Sequence, residues 1–310
     1  MKFLVTGGAG FIGSNIVETL LKRRHQVRVL DNFSTGKISH IKPFLSKIDL
    51  VKGDLLHDKD LKKALTGIDY VLHQAAIRSV PKSVDDPISS NDANITGTLK
   101  MLMMAKHCGV KRVVYASSSS VYGDCKTFPQ KETLPTGPLS PYAVSKLAAE
   151  NYCQTYAKTF GLETVSLRYF NVFGPRQDPE SKYSAVIPAF IEAAMNDDDL
   201  IVHGDGKQSR DFSYIDNVVQ ANILAATVPG ISGQVFNIAC NENTSVIDIV
   251  TTLQGILKKK LKVRHVPSRA GDVRKTWADI SKARKMMKYK PSIFFEEGLR
   301  RTVKWFAAQP

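Results

Sequence analysis

Cysteine is scarce in this chain of 310 residues: Cys108, Cys125, Cys153 and Cys240 are the only four, scattered without paired spacing. That pattern argues against a disulfide framework or a cysteine zinc site and fits free thiols in a reducing compartment. The seven histidines are as dispersed, so no structural metal is expected. No run approaches the roughly 18 consecutive apolar residues of a membrane span. Met1 leads straight into an apolar strand pattern, leaving no room for a signal peptide. The expectation is a cytoplasmic protein with no membrane partner. Acidic residues are also short, 29 against 43 Lys and Arg, which leaves a net charge of +14. Such a balance fits nucleic acid, an acidic lipid surface or an anionic substrate. The densest basic clusters are Lys258–Lys260 and the lysines from Lys285 to Lys290, both within or beside helical patterns. No aromatic residues interleave with them as a base-stacking platform requires, so a nucleic-acid partner is not expected.

What is present is ordinary globular material, 43% hydrophobic and 23% charged, long enough for one large core or two joined domains. From residue 1 to about 166, short apolar runs alternate with longer amphipathic stretches. Strands are expected at Lys2–Thr6, Gln26–Asp31, Leu50–Lys52, Tyr70–His73, Arg112–Ala116 and Glu163–Arg168. Helices are expected near 11–24, 59–66, 89–108 and 140–160. This alternation predicts an α/β fold, a Rossmann-type parallel sheet with helices on both faces. Beyond Arg168 the pattern shortens. Helices are expected near 184–196, 216–227, 245–258, 281–287 and 294–306, and two strands, Asp211–Tyr214 and Gln234–Ile238, could return to the sheet. The expected organisation is a dinucleotide domain over 1–168 with returning segments near 211–238. A smaller interleaved substrate lobe would occupy most of 169–310.

The chain is organised around its first thirteen residues, MKFLVTGGAGFIG. An apolar run turns through glycines into an apolar-periodic segment at Phe11 and Ile12. Strand, tight turn and helix start are the geometry that brings a pyrophosphate to helix N–H groups. Gly7, Gly10 and Gly13 fall in a G-x-x-G-x-x-G pattern, and a lone glycine triplet is weak evidence. A second apolar run strengthens it by ending in Asp31, near the roughly 20-residue spacing at which an acidic residue meets the adenosine ribose hydroxyls. Asp31 also fits a plain turn after a strand. In the functional reading it favours NAD over NADP by repelling a 2′-phosphate. Asp54 follows the third strand and suits either the adenine amino group or a helix cap. His73-Gln74-Ala75-Ala76 follows the fourth, with small residues that let backbone approach a flat cofactor or simply pack tightly.

Ser117-Ser118-Ser119-Ser120-Val121-Tyr122-Gly123 follows the strand ending at Ala116. Tyr142 and Lys146 come later, four apart and so on one helix face. A phenolate at neutral pH needs the tyrosine pKa lowered by roughly three pH units, or ~4 kcal/mol. A neighbouring ammonium and a cationic nicotinamide are the two charges able to do this. The Tyr-x-x-x-Lys pair alone arises often by chance; after a dinucleotide loop and a strand-end serine cluster it reads as catalytic.

Together with NITGTL at Asn94, RYFNVFGPRQ at Arg168, GDGKQSRDFSYI at Gly204 and RAGD at Arg269, these motifs resemble the extended short-chain dehydrogenase/reductases. Within them the likeness is to the nucleotide-sugar 4-epimerases, and it covers Lys2 to about Pro291. The resemblance implies NAD as cofactor and a UDP-sugar as substrate. It makes Tyr142 the acid/base on the sugar 4-hydroxyl and Lys146 the holder of the nicotinamide ribose. Ser118 binds the same sugar oxygen, with the shares of Ser119 and Ser120 not separable. The cofactor surface it implies adds Asn32, Ser34, Gly36 and Leu55 to Gly7, Gly10, Phe11, Ile12, Gly13, Asp31 and Asp54. Gln74, Ala75, Ala76 and Arg78 continue it, Asn94 supports the catalytic helix region, and Tyr169 and Phe170 flank the nicotinamide. Asn171 reaches the substrate diphosphate or sugar, Val186 lines its site, Arg210 and Arg269 clamp the phosphates, and Asp272 takes the uridine ribose. Arg210 could instead pair with Asp211 or Asp205, and Arg269 with Asp272.

The implied reaction passes through a 4-keto sugar and is internally redox-neutral. Ser120 stands where the related dehydratases and decarboxylases place an acidic residue, and uronate epimerases tend to carry Thr at Asn171. Thr276 is small where hexose-restricted epimerases carry a large aromatic, which favours UDP-N-acetylglucosamine and UDP-N-acetylgalactosamine. Arg78 departs from the smaller residue or lysine usual there. Alternatives of substrate are a UDP-uronate or another nucleotide sugar; an alternative of class is a non-catalytic NAD-binding regulator. Apolar positions beyond one helix face (Leu102, Met103, Met104, Tyr152, Tyr156) predict a homodimer through a four-helix bundle.

Overall fold

A computed structural model describes residues 1–178, 186–268 and 273–309. Six strands appear in the expected order: β1 Lys2–Thr6, β2 Gln26–Asp31, β3 Asp49–Lys52, β4 Tyr70–His73, β5 Arg112–Ser118 and β6 Glu163–Tyr169. With strand Gln234–Ile238 they form one seven-stranded sheet, ordered Gln234–Ile238, β6, β5, β4, β1, β2, β3, every pair parallel. Strand residues are buried on both faces. Phe3 and Val5 pack with Ile16 and Leu20 on one side, while Leu4 packs with Leu61 and Val71 on the other. That two-sided burial explains why these strands read as continuous apolar runs. The order of strands reverses at β1 and β4, where chain connections leave in opposite directions and open a crevice at the carboxyl ends.

The helices that matter for the site have visible causes. Phe11–Lys22 starts at Gly10, has no acidic residue in its first turn, and presents its first-turn N–H groups toward the glycine loop. Pro141–Thr159 is capped by Ser140, whose hydroxyl accepts from the Ala143 N–H at 3.2 Å, and Pro141 sits in its first turn. Pro at that position forgoes an N–H that the helix could not use.

The helix expected near 89–108 runs from Pro87 to His107, with Pro87–Asn91 and Gly97–His107 joined through a π-helical turn Asp92–Thr96, and a short helix Val80–Asp85 precedes it. Ser79 and Asp86 each cap a new start, accepting from Lys82 N–H and Ser89 N–H. Asp211–Tyr214 does not join the main sheet. Ser213–Tyr214 pairs with Val172–Phe173, and Ser209–Arg210 pairs with Thr244–Ser245. Asp211 is the reason for the break. Its carboxylate is wholly buried and accepts from the N–H groups of Cys240 and Ala278, which curls the segment around it. Gln234–Ile238 does return, beside β6. Two further strands that the sequence did not reveal, Leu200–His203 and Val263–Val266, pair in parallel.

Candidate active site

The glycine turn forms a cradle that side chains would fill. A Cβ on Gly7, whose φ is +65°, would stand 2.8 Å from Ala75 Cα, and one on Gly13 would stand 2.1 Å from the Gly7 carbonyl oxygen. Backbone therefore approaches backbone there, and Gly7, Gly10, Phe11, Ile12 and Gly13 line one part of a cleft at the helix start. Asp31 lies on the same wall, its Oδ2 accepting from Ala9 N–H and its Oδ1 from Phe33 N–H, both at 2.8 Å. Burial pushes its carboxyl up, and these two hydrogen bonds pull it back. Each oxygen keeps a further lone pair, which suits a ribose diol. Asp54 takes Asn32 Nδ2 at 2.7 Å and Leu56 N–H at 2.9 Å. It is not a helix cap: the following helix begins at Asp58 after His57. Ser34, Gly36, Leu55, Gln74, Ala75, Ala76 and Arg78 line the cleft as well. A cleft built from a Cβ-free turn, a helix start and a buried acidic acceptor fits an adenine dinucleotide.

At the other end of this cleft stand Tyr142, Lys146 and Tyr169. Lys146 is buried, its Nζ donates to the Ala116 carbonyl at 2.9 Å, and it sits 5.9 Å from the centre of the Tyr142 ring. Burial drops the Lys146 pKa to about 8. Burial likewise pushes the Tyr142 phenol up, while its hydrogen bond with Ser118 and the charge of Arg78 pull it down. The ammonium is engaged by the β5 carbonyl, and the counteracting protein groups are Ser118 and Arg78. Ser118 Oγ accepts from Ser120 N–H at 3.2 Å and from Ser120 Oγ at 2.9 Å, which leaves its own proton to donate onward. The serines thus separate: Ser120 orients Ser118, and Ser119 opens the 3₁₀ turn 119–122.

Behind the site, Glu150 is buried and receives Ser117 Oγ at 2.6 Å, Arg168 Nε at 3.0 Å and Arg168 Nη2 at 2.6 Å. Glu150 lies one turn beyond Lys146, so the two side chains fasten the Pro141–Thr159 helix to consecutive residues of β5. Asn94 is buried and does not line the cleft. Its Nδ2 donates to the Ile77 carbonyl and to Ser145 Oγ, and its Oδ1 accepts from Ile77 N–H. Phe170 is also away from the cleft, wholly buried beside Tyr122. Tyr169 does line it, held by Gln74 and Asn222.

A second cavity of about 550 Å³ adjoins, two residues past Tyr169. Asn171, Val186 and Arg210 line it together with Asp199, His203, Gln208 and Phe212. Asn171 Nδ2 donates to the Asp211 carbonyl at 3.1 Å and to Thr276 Oγ1 at 3.0 Å. Both its amide protons are thereby engaged, so toward the cavity it offers an acceptor. Arg210 Nη1 donates to the Ser209 carbonyl, and Asp205 pairs with Arg274. Arg269 and Asp272 lie outside the described residues.

Several lining residues escaped the sequence reading. Ser117 and Ala116 stand at the end of β5, a position that strand-end logic could have flagged. Ile77, in the loop after the fourth strand, and Ser89, Asp92 and Ala93, on the helical run from Pro87, also line the cleft. Among the described residues no group of three or more His, Cys, Asp and Glu could hold a metal, and no helix is long and apolar enough to cross a membrane.

Comparison with known proteins places this arrangement. A putative UDP-glucose 4-epimerase of Methanocaldococcus jannaschii is 37% identical over 305 residues, covering 97% of each chain. The solved structure of a UDP-N-acetylglucosamine 4-epimerase from Methanobrevibacter ruminantium, in complex with UDP-N-acetylmuramic acid, is 41% identical. It superposes with a TM-score of 0.95 over 100% of this chain and 99% of that one. A UDP-glucuronic acid 4-epimerase from Bacillus cereus, bound to UDP-glucuronic acid and NAD, is 36% identical with a TM-score of 0.91 over 99% of both. Residues 3–239 match the NAD dependent epimerase/dehydratase family, and the chain belongs to it.

Proposed function

We propose that this protein is an NAD-dependent UDP-sugar 4-epimerase. Its favoured substrates are UDP-N-acetylglucosamine and UDP-N-acetylgalactosamine, with UDP-glucose and UDP-galactose as further substrates. The observation that carries the reading is the meeting of Tyr142, Lys146 and Ser118 at the end of a dinucleotide cleft, next to a cavity walled by Arg210.

Bound NAD supplies the hydride acceptor and returns what it takes, so the cycle consumes no outside reductant. The chain's own residues do the rest. Gly7, Gly10 and Gly13 admit the pyrophosphate to the helix start, and Asp31 takes the adenosine ribose. Tyr142 accepts the sugar 4-hydroxyl proton and later gives it back. Ser118, oriented by Ser120, donates to the same oxygen. The protein's own groups leave Tyr142 above its ordinary pKa, so the nicotinamide charge is the remaining influence able to favour the phenolate. Arg210 meets phosphate, a task suited to the guanidinium fork. In this reading residues 1–168, with the returning strand Gln234–Ile238, hold NAD, and most of 169–310 holds the UDP-sugar. Thr276 leaves width for a 2-acetamido group.

Purified protein incubated with UDP-N-acetylglucosamine, UDP-glucose and UDP-glucuronate, with products resolved by chromatography, tests the proposal. Conversion of the acetamido sugar is expected; turnover of the uronate alone would overturn the substrate assignment. No turnover of any of them, with NAD still bound, would favour the regulator reading.

We also propose a homodimer. Along Pro87–Asn91, residues 138–144 and the neighbouring helices, Ile88 is 74% exposed, Leu139 69% and Met103 58%, and Val144 and Tyr152 are exposed too. Ile88, Ile95, Pro138, Leu139 and Val144 share one apolar groove. Of the residues expected there, Leu102 and Tyr156 are buried within the chain, so Met103 and Tyr152 carry the argument. Light scattering is expected to give a two-chain mass, and a single-chain mass would refute it.

A further inference from the structure

His73, at the end of β4, is 1% exposed and touches no substrate surface, yet its ring lies in an unbroken row of hydrogen bonds. Ala75 N–H donates to Thr6 Oγ1 at 3.2 Å, and Thr6 Oγ1 lies 2.7 Å from His73 Nδ1. His73 Nε2 lies 3.0 Å from Thr98 Oγ1, and Thr98 Oγ1 donates to the Asn94 carbonyl at 2.6 Å. Asn94 Nδ2 donates to Ser145 Oγ at 2.9 Å, and Ser145 Oγ donates to the Tyr142 carbonyl at 2.8 Å. Thr6, Asn94, Thr98 and Ser145 are all buried.

Only one placement of protons satisfies the row. The Asn94 carbonyl can only accept, so the single Thr98 hydroxyl proton points at it, and Thr98 Oγ1 must accept from the ring. Nε2 therefore carries the proton and Nδ1 is bare, which makes Nδ1 the acceptor for the Thr6 hydroxyl. Thr6 Oγ1 in turn accepts from Ala75 N–H. The opposite tautomer would set Thr98 Oγ1 against the Asn94 carbonyl with no proton between them at 2.6 Å, and would leave the Thr6 hydroxyl proton without its partner. Both ends of the row are functional. Ala75 and Ile77 line the dinucleotide cleft, with Asn94 bonded to Ile77 through both backbone groups, and Tyr142 is the proposed acid/base.

We propose that His73, fixed as the neutral Nε2–H imidazole between Thr6 and Thr98, is a positioning residue that sets the cofactor loop 74–77 against the Tyr142 end of the catalytic helix. The inference rests on the epimerase reading above. The Thr98 hydroxyl bond to the Asn94 carbonyl is the i→i−4 bond that Thr227 and Thr302 also make in their helices, and the Asn94 side chain is left to meet Ile77 and Ser145. Burial, followed by the Lys146 charge, drops the His73 pKa to about 3, which keeps the ring neutral throughout the working range.

The test uses Thr98→Val, which keeps shape and removes the hydroxyl, with Thr98→Ser as the conservative rescue, both on the full-length protein. Thr98→Val is expected to lower kcat about tenfold or more, as misplacement of a catalytic group does. It should leave KM within about twofold and retain bound NAD, and it should move the acid limb of the pH–rate profile to higher pH. Thr98→Ser is expected to restore both kcat and the limb. In ¹⁵N-histidine spectra His73 should show a bare Nδ1 from pH 5 to 8. A Thr98→Val enzyme with wild-type kcat and pH profile, an equal loss in Thr98→Ser, or an Nδ1–H tautomer would overturn the proposal. If wild-type protein turns over no UDP-sugar, the epimerase reading itself fails, while the ¹⁵N spectra still judge the tautomer.

Discussion

Lys146 and Tyr142 share a helix face one turn apart, yet the Lys146 ammonium hydrogen-bonds the Ala116 carbonyl at 2.9 Å and stays 5.9 Å from the tyrosine ring centre. The lysine is held by the sheet, with its ammonium over the tyrosine ring.

That placement has a pH consequence. Burial drops the Lys146 pKa to about 8, below the ordinary lysine value. The ammonium is therefore complete below about pH 8 and is lost as pH rises through it. Turnover that needs this charge should show a falling basic limb near pH 8. A rate that stays level to pH 10 would contradict it. The stability sign is opposite: the folded chain binds this proton less tightly than the unfolded one, so this group favours folding more as pH climbs from 8 toward 10.5.

Removing the phenolic oxygen is the direct test of the acid/base. Tyr142→Phe is expected to lower kcat by about 10²- to 10⁴-fold, the range for a lost general acid/base. NAD binding, followed by fluorescence titration, should persist, because the glycine turn is remote from the change.

Ser120 acts through Ser118. Ser120→Ala removes the 2.9 Å hydroxyl donor and keeps the backbone donor at 3.2 Å. The loss of one hydrogen bond worth about 1 kcal/mol predicts a several-fold fall in kcat with little change in KM. Steady-state kinetics on the wild-type sugar substrate will measure it.

The glycine cradle allows no side chain. In Gly13→Ala the new Cβ would meet the Gly7 carbonyl oxygen at 2.1 Å, too close for either backbone to remain in place. NAD affinity should fall by more than tenfold, read by the same titration, and the melting temperature should drop.

Glu150→Ala would leave the buried Arg168 guanidinium without its carboxylate, and Ser117 without its acceptor. Breaking one partner of a buried pair costs about 3–5 kcal/mol. The burial of Arg168 against the Tyr122 ring, 4.7 Å away, offers the stranded charge no escape to water. Denaturant unfolding will show whether stability falls by that amount.

Much of this was legible in local sequence. The six leading strands, the glycine turn and the Ser140-capped helix carrying Tyr142 and Lys146 follow from apolar runs, φ-permissive residues and caps. These signals act over a few residues, so a linear reading finds them, and Asp31, Gly13 and Lys146 stand where the spacing put them. The sequence alone also carried the order of strand, turn and helix that makes a dinucleotide cleft. The partners of buried polar groups were not legible. That Lys146 meets Ala116, that Asn94 serves Ile77 and Ser145, and that Asp211 curls a would-be strand away from the sheet are pairings across 30, 17 or 51, and 29 or 67 residues. Burial forces every such group to find a partner, and only the folded chain decides which. The π-helical turn at Asp92–Thr96 belongs to the same class. Nothing in its local pattern opposes a regular helix, and the hydrogen bonds of Asn94 and Thr98 to their neighbours accompany it.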